Sequence, residues 1–186
     1  MPKKIVLLAS GAGSLAKAVL EADLDLEIAM VISDRPAPVL DIAEAHGVKS
    51  ALVNFADFKN RQTWCDELTN IVESVNPGLI VSVGFMRILP ASFVEKFKVI
   101  NTHPALLPLF PGAHAVRDAL AAGVTETGTT VHWVDEGVDT GAVIEQRSVP
   151  IEAGDTEETL HERIKIVERK LIVEVIKSLE SKSERS

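Results

Sequence analysis

Lys4-Ile-Val-Leu-Leu-Ala9 is an unbroken apolar run that ends on the glycine-rich turn Ser10-Gly-Ala-Gly-Ser14. A short run of this kind, closed by glycine, reads as a strand buried on both faces. Such a strand needs helices packed above and below it, which predicts an α/β chain. Residues 15–22 carry helical spacing, so strand, glycine turn and helix follow one another. This order aims free backbone N–H groups and a helix N-terminus at an anion. A bare Gly-x-Gly also serves a plain tight connection, and that reading stays open on these residues alone. The turn is neither of two common phosphate loops. Its sixth position is Ala16, which breaks the dinucleotide fingerprint, and no Gly-Lys-Ser/Thr follows to make a Walker loop.

The alternation continues. Residues 27–33, 51–53, 79–83 and 98–100 read as strands, and 39–46, 58–75 and 115–122 as helices. Residues 128–134 and 142–150 alternate as strands of a mixed sheet edge, and 158–179 form a long helix with one apolar face. The expected architecture is a single Rossmann-like domain over 1–179. Its mostly parallel sheet is flanked by helices and carries a mixed C-terminal extension. Residues 180–186 read as a frayed charged tail.

Chemistry concentrates where Val99-Ile-Asn-Thr-His-Pro-Ala-Leu-Leu-Pro-Leu-Phe-Pro-Gly112 leaves its strand. Three prolines in eight residues, Pro104, Pro108 and Pro111, cannot donate to a ladder. Asn101 and His103 sit just before them at i, i+2, so an extended backbone turns both side chains the same way. An amide donor beside an imidazole can polarise a carbonyl and move a proton. The plainer alternative makes Asn101 a turn cap and His103 an ordinary loop histidine.

The surrounding motifs weigh against that alternative. Asn101-Thr-His-Pro-Ala-Leu-Leu-Pro108, with Gly84-Phe-Met-Arg-Ile-Leu89 before it and Val138-Asp-Thr-Gly141 after it, resembles the folate-dependent formyltransferases in the same order. The resemblance runs from about Lys4 to Ile176 and is nearest to members that formylate glycinamide ribonucleotide in purine synthesis. It implies formyl transfer from 10-formyltetrahydrofolate, with Asn101, His103 and Asp139 catalytic and no metal. It also implies that Gly11, Ala12, Gly13, Ser14 and Leu15 cradle the acceptor's phosphate, with Lys165 and Glu168 near the phosphate and ribose. On residues alone, Lys165 and Glu168 read as an exposed i, i+3 ion pair. Leu15 stands where the family usually has Asn, which keeps the backbone donors and removes one side-chain contact. Arg61, Met86, Arg87, Ile88 and Leu89 fall at the folate side, joined by Asn101 and Asp139, and His132 is a supporting residue. For Arg61 a solvated helix arginine is the competing reading, and for 86–89 plain packing at a strand end.

Composition narrows the partners. A net charge of −8 argues against a general nucleic-acid binder. Nothing in the chain reads as a membrane span or a signal peptide, and one cysteine, Cys65, forms no internal disulfide. A cytoplasmic enzyme of small-molecule substrates is expected, and a homodimer is compatible with the chain. His46 reads as a helix-end residue and His114 as a neighbour of the site entrance. Asp135 reads as a turn former. An acceptor that is a sugar nucleotide, or a folate-binding module without catalysis, remains a rival. Methionyl-tRNA and formyltetrahydrofolate-hydrolysing relatives would need an extra domain.

Overall fold

The computed structural model describes residues 4–183. Strands β1 (Lys4–Ala9), β2 (Glu27–Ser33), β3 (Ser50–Leu52), β4 (Leu79–Ser82) and β5 (Val99–His103) are parallel. Strands β6 (Glu126–Trp133) and β7 (Val143–Pro150) extend the sheet antiparallel, in the order β3-β2-β1-β4-β5-β6-β7. The helices are α1 (Ser14–Leu20), α2 (Pro38–Ala45), α3 (Arg61–Val75), α4 (Ala91–Lys96), α5 (Ala115–Ala121) and α6 (Glu157–Ser183). This is the α/β architecture expected from the strand–helix alternation.

The continuous apolar strands are explained by cover on both faces. Ile5, Leu7 and Ala9 of β1, with Val31 and Val81, pack under α1, α2 and the C-terminal half of α6. Their neighbours Val6 and Leu8, with Ile32 and Ile80, pack under α3 and α4 through Trp64, Leu68, Val72 and Phe93. Trp64 is fully buried and gives its indole N–H to the Val53 carbonyl at 2.8 Å, so its one polar atom is satisfied. Cys65 is buried beside it, and burial pushes its thiol up, as suits an inert packing group. Among the described residues no helix is long and apolar enough to cross a membrane.

Three boundaries differ from the sequence reading by three residues or more. Helix α3 begins at Arg61 and not at 58, because Asn60 caps it by accepting the Thr63 N–H at 2.9 Å. A separate short turn, Phe55–Asp57, precedes it. Strand β5 runs on through His103, because β6 pairs with it residue for residue up to that point. Helix α6 continues to Ser183, since no Gly or Pro interrupts it after residue 157. The expected frayed tail is therefore helical from 180 to 183, and its last three residues lie outside the described part.

The topology places a cleft. From β1 the chain moves to β2 and β3 on one side, then returns through α3 to β4 on the other. Loops leaving the carboxyl ends of β1 and β4 thus diverge, which opens a crevice at this switch point. The pairing of Ser10 N–H with the Gly84 carbonyl at 3.1 Å marks its floor.

Candidate active site

A cavity of about 550 Å³ occupies that crevice. The loop after β1, the segment after β4, the end of β5, the 132–139 region and one face of α6 line it. It therefore brings together three motifs far apart in the sequence.

At its centre β5 and β6 set Asn101 opposite His132 and His103 opposite Thr130. Paired residues share a face, so both histidines and the amide turn the same way, as the i, i+2 spacing predicts. His132 is buried, its Nδ1 lies 2.8 Å from the Trp133 carbonyl, and its Nε2 lies 3.4 Å from Asn101 Nδ2. His103 is also buried. Its Nε2 meets the Phe110 carbonyl at 2.8 Å, and its Nδ1 lies 3.3 Å from Asp139 Oδ2. Both ring nitrogens face acceptors, a pattern that the doubly protonated imidazole fills.

Asp139 joins the two histidines. Its Oδ1 lies 3.5 Å from His132 Nε2, and its Oδ2 accepts the Gly112 N–H at 2.8 Å. Burial pushes the Asp139 carboxyl up, but His132, the Gly112 amide and His103 together outweigh it and hold it below the usual range. The backbone brings the carboxylate here. Asp139 is left-handed, with φ 56°, and so is Phe110, with φ 53°. Asp tolerates that region better than most residues, whereas Phe does not. The Val-Asp-Thr-Gly motif has a mechanical explanation too. Asp135 accepts from the Gly137 N–H at 3.0 Å and from the Thr140 hydroxyl at 2.7 Å, so it is the turn former. A Cβ on Gly141 would stand 1.7 Å from the Trp133 carbonyl oxygen, which only glycine avoids.

The glycine turn forms the second wall. The amides of Gly11, Ala12 and Gly13 donate to no backbone carbonyl among the described residues. Gly13 is left-handed with φ 79°, and a Cβ there would press on Val39 Cβ at 2.9 Å, while a Cβ on Gly11 would meet open space. Ser14 is exposed. Leu15 turns into the core, so only its backbone remains for a ligand. Lys165 lies on the same cavity, but its ammonium pairs with Glu162 at 2.7 Å. The exposed Lys165–Glu168 ion pair read from spacing is not formed. Glu168 is buried and hydrogen-bonds to Thr102; burial pushes its carboxyl up, and Thr102, Lys165 and Arg169 offset this only in part.

The third wall follows β4. Met86 and Ile88 are 63% and 53% exposed at the cavity, whereas Leu89 turns into the core. Two arginines are held by protein groups, Arg87 while lining the cavity. Arg87 gives its Nε–H to Asp34 Oδ2 at 2.8 Å, and its guanidinium carbon lies 4.0 Å over the Phe55 ring. Arg61 donates to the Ile88 carbonyl from outside the cavity, so it braces this wall. His114 caps α5, exposed and off the cavity lining.

Other contributors were not singled out from sequence. His161 lines the cavity half-buried, and burial with the Lys165 charge pushes its pKa down. Thr130 gives its hydroxyl hydrogen to the Ala105 carbonyl at 2.6 Å and accepts the Leu107 N–H at 3.1 Å, holding the proline-rich loop. A buried threonine on an alternating strand carries no sequence signal of such a role. Among the described residues, no three His, Cys, Asp or Glu side chains gather to ligate a metal.

The sequence profile described as Formyl transferase matches residues 3–176. The chain is 46% identical over 183 residues to a Mycobacterium tuberculosis phosphoribosylglycinamide formyltransferase, covering 96% of this chain and 85% of that one. It is 40% identical over 175 residues to the human trifunctional purine biosynthetic protein adenosine-3, covering 90% of this chain but 17% of that longer one. A crystal structure of phosphoribosylglycinamide formyltransferase from Bacillus halodurans superimposes with a TM-score of 0.92 at 34% identity, covering 97% of each chain.

Two outcomes test this geometry. Gly141→Ala forces a methyl into the Trp133 carbonyl and should destabilise the fold by about 1–3 kcal/mol, read by denaturant melts. Wild-type stability would show that the loop does not depend on this contact. Glu168→Gln should raise stability increasingly with pH. A carboxyl with a raised folded pKa contributes stability below its ordinary value of 4.5 and loses it as pH rises through the folded value. The melting difference between variant and wild type should therefore grow as pH rises above 4.5 and level off once the buried carboxyl has ionised.

Proposed function

The chain belongs to the formyl transferase family, and from that premise we propose its reaction and the residues that perform it. The protein is a one-carbon transferase using a folate-derived formyl donor. It transfers the formyl group of 10-formyltetrahydrofolate to the amine of glycinamide ribonucleotide, giving the formylated ribonucleotide and tetrahydrofolate in de novo purine synthesis. One observation supports the residue assignment: a single cavity is lined by an anion-ready glycine turn, by apolar Met86 and Ile88, and by Asn101, His103 and Asp139.

The acceptor amine is itself the nucleophile, so no Ser or Cys has to attack. Its lone pair adds to the formyl carbon, and the carbonyl electrons move onto oxygen. Asn101 donates an N–H to that oxygen, and the charge of doubly protonated His103 lies beside it. The new ammonium then loses a proton, the folate nitrogen gains one, and the carbon–nitrogen bond to the folate breaks. Asp139 carries the proton through, since one oxygen faces His103 and the other His132. His132 orients Asn101. Each step is served by N–H and carboxylate groups, without need of a metal.

The loop amides of 11–14 would take the acceptor's phosphate, with Lys165 beside them and Glu168 at the ribose. Met86 and Ile88 would cover the flat face of the pterin, and backbone groups of 87–89 its polar edge. The single buried thiol and acidic surface fit work in the cytoplasm.

Turnover can be followed by the absorbance of the formyl donor against a panel of amine acceptors. Glycinamide ribonucleotide should be the acceptor used, and transfer confined to a sugar nucleotide would overturn the assignment. His103→Ala should lower kcat by roughly 10²–10⁴. Asn101→Ala should lower it by about 10²–10³. Both variants should still bind tetrahydrofolate. Undiminished turnover in folded His103→Ala would refute the mechanism. Gly11→Ala adds a methyl in open space, so melting should be unchanged while calorimetry shows weaker binding of the ribonucleotide alone.

A further inference from the structure

Asp34 follows β2 and is 1% exposed, yet it is a carboxylate. In dinucleotide-binding sheets an acidic residue near this place reaches a ribose. Here its oxygens point back under the glycine turn. Asp34 Oδ1 accepts the Ser10 hydroxyl hydrogen, and Oδ2 accepts from Arg87 Nε at 2.8 Å and Arg35 Nη2 at 3.1 Å. The Ser10 hydroxyl in turn accepts the Met86 N–H at 2.8 Å. Through its own carbonyl Asp34 accepts the Phe55 N–H at 2.9 Å, and the Phe55 ring lies under the Arg87 guanidinium. One buried residue is thus tied to the ends of β1, β2 and β4 and to the segment after β3.

Two of those ends are the two halves of the cavity. Ser10 opens the glycine turn, and Met86 and Arg87 belong to the apolar wall. Burying a carboxylate is costly without partners, and the partners chosen here come from both halves. Burial pushes the Asp34 carboxyl up, but Arg35, Ser10 and Arg87 outweigh it and keep it below its usual range.

We propose that Asp34 is a positioning residue, which through Ser10 and Arg87 fixes the phosphate loop and the folate wall at the separation that formyl transfer requires. This rests on the function proposed above. Asp34 touches neither substrate in this account, and its effect is on how far apart they are held. It also reassigns Arg87, whose guanidinium serves the clamp and not the folate.

The test uses Ser10→Ala, which removes the bridging hydroxyl and keeps the carboxylate, and Asp34→Asn, which keeps the shape and removes the charge. Calorimetry with glycinamide ribonucleotide and with tetrahydrofolate, each alone and below the melting range, reads the two half-sites separately. Both affinities should fall, on the order of tenfold each in Ser10→Ala, as expected for hydrogen bonds to a charged group. Val72→Ala, a buried apolar truncation in the C-terminal half of α3 that touches neither Asp34 nor Ser10 by hydrogen bond, should lower the melting temperature and leave both affinities unchanged. Lost stability with wild-type affinities in Ser10→Ala, or a loss confined to one ligand in both variants, would overturn the clamp while leaving the proposed reaction intact. A wild-type protein that binds neither ligand would overturn both.

Discussion

The antiparallel pairing of β5 and β6 decides what the carboxyl edge of this sheet can do. Asn101 lies against His132, Thr102 against Val131, and His103 against Thr130. Because side chains alternate with period two, a slip of one residue would exchange the faces of Asn101 and His103 with that of Thr102 and part the amide from His132. The register is held from both sides. On the helical face Val131 sits in the core with Leu171 and Val175 of α6. On the cavity face Thr130 is bonded to the loop that leaves β5. Apolar packing on one side therefore specifies a polar arrangement on the other.

Buried Asp34, partly buried Asp139 and buried Glu168 show different answers to one desolvation problem. Asp34 and Asp139 each gather enough donors and positive charge to outweigh burial, and both remain anionic well into acid. Glu168 has Thr102 and more distant cations, and burial wins. The first two are fixed parts of the frame and of the acid–base cluster. The third is held at a cost to the fold.

Much of the frame was legible because its physics is local. An apolar run closed by glycine identifies β1, and the alternating residues of β6 and β7 identify the mixed edge. Asn101 and His103 were readable through their spacing, since an extended backbone makes i and i+2 neighbours. What escaped depends on distant partners. Asp34 in Asp-Arg-Pro looks like a turn, and nothing near it announces Ser10 or Arg87. The Phe110 carbonyl that meets His103 is backbone and has no residue signature. Arg61 and Arg87 look alike as cations near a ligand, and only the fold shows their guanidinium groups committed to Ile88 and Asp34. Helical spacing placed Lys165 beside Glu168, but did not foresee that one faces Glu162 and the other the sheet.

The left-handed backbone at Asp139 limits where this protein can drift. The position must satisfy a conformational filter and a chemical one, and they select different residues. Glycine and asparagine pass the first, and neither carries charge. Glutamate passes the second, but its longer side chain gains nothing from a left-handed backbone and would overreach the Gly112 amide. Aspartate is the residue where both sets meet. Its nearest neighbour in shape, asparagine, leaves a folded protein with the anion missing. A lineage can cross that step without losing the fold, and the scaffold and its cavity then persist without that charge.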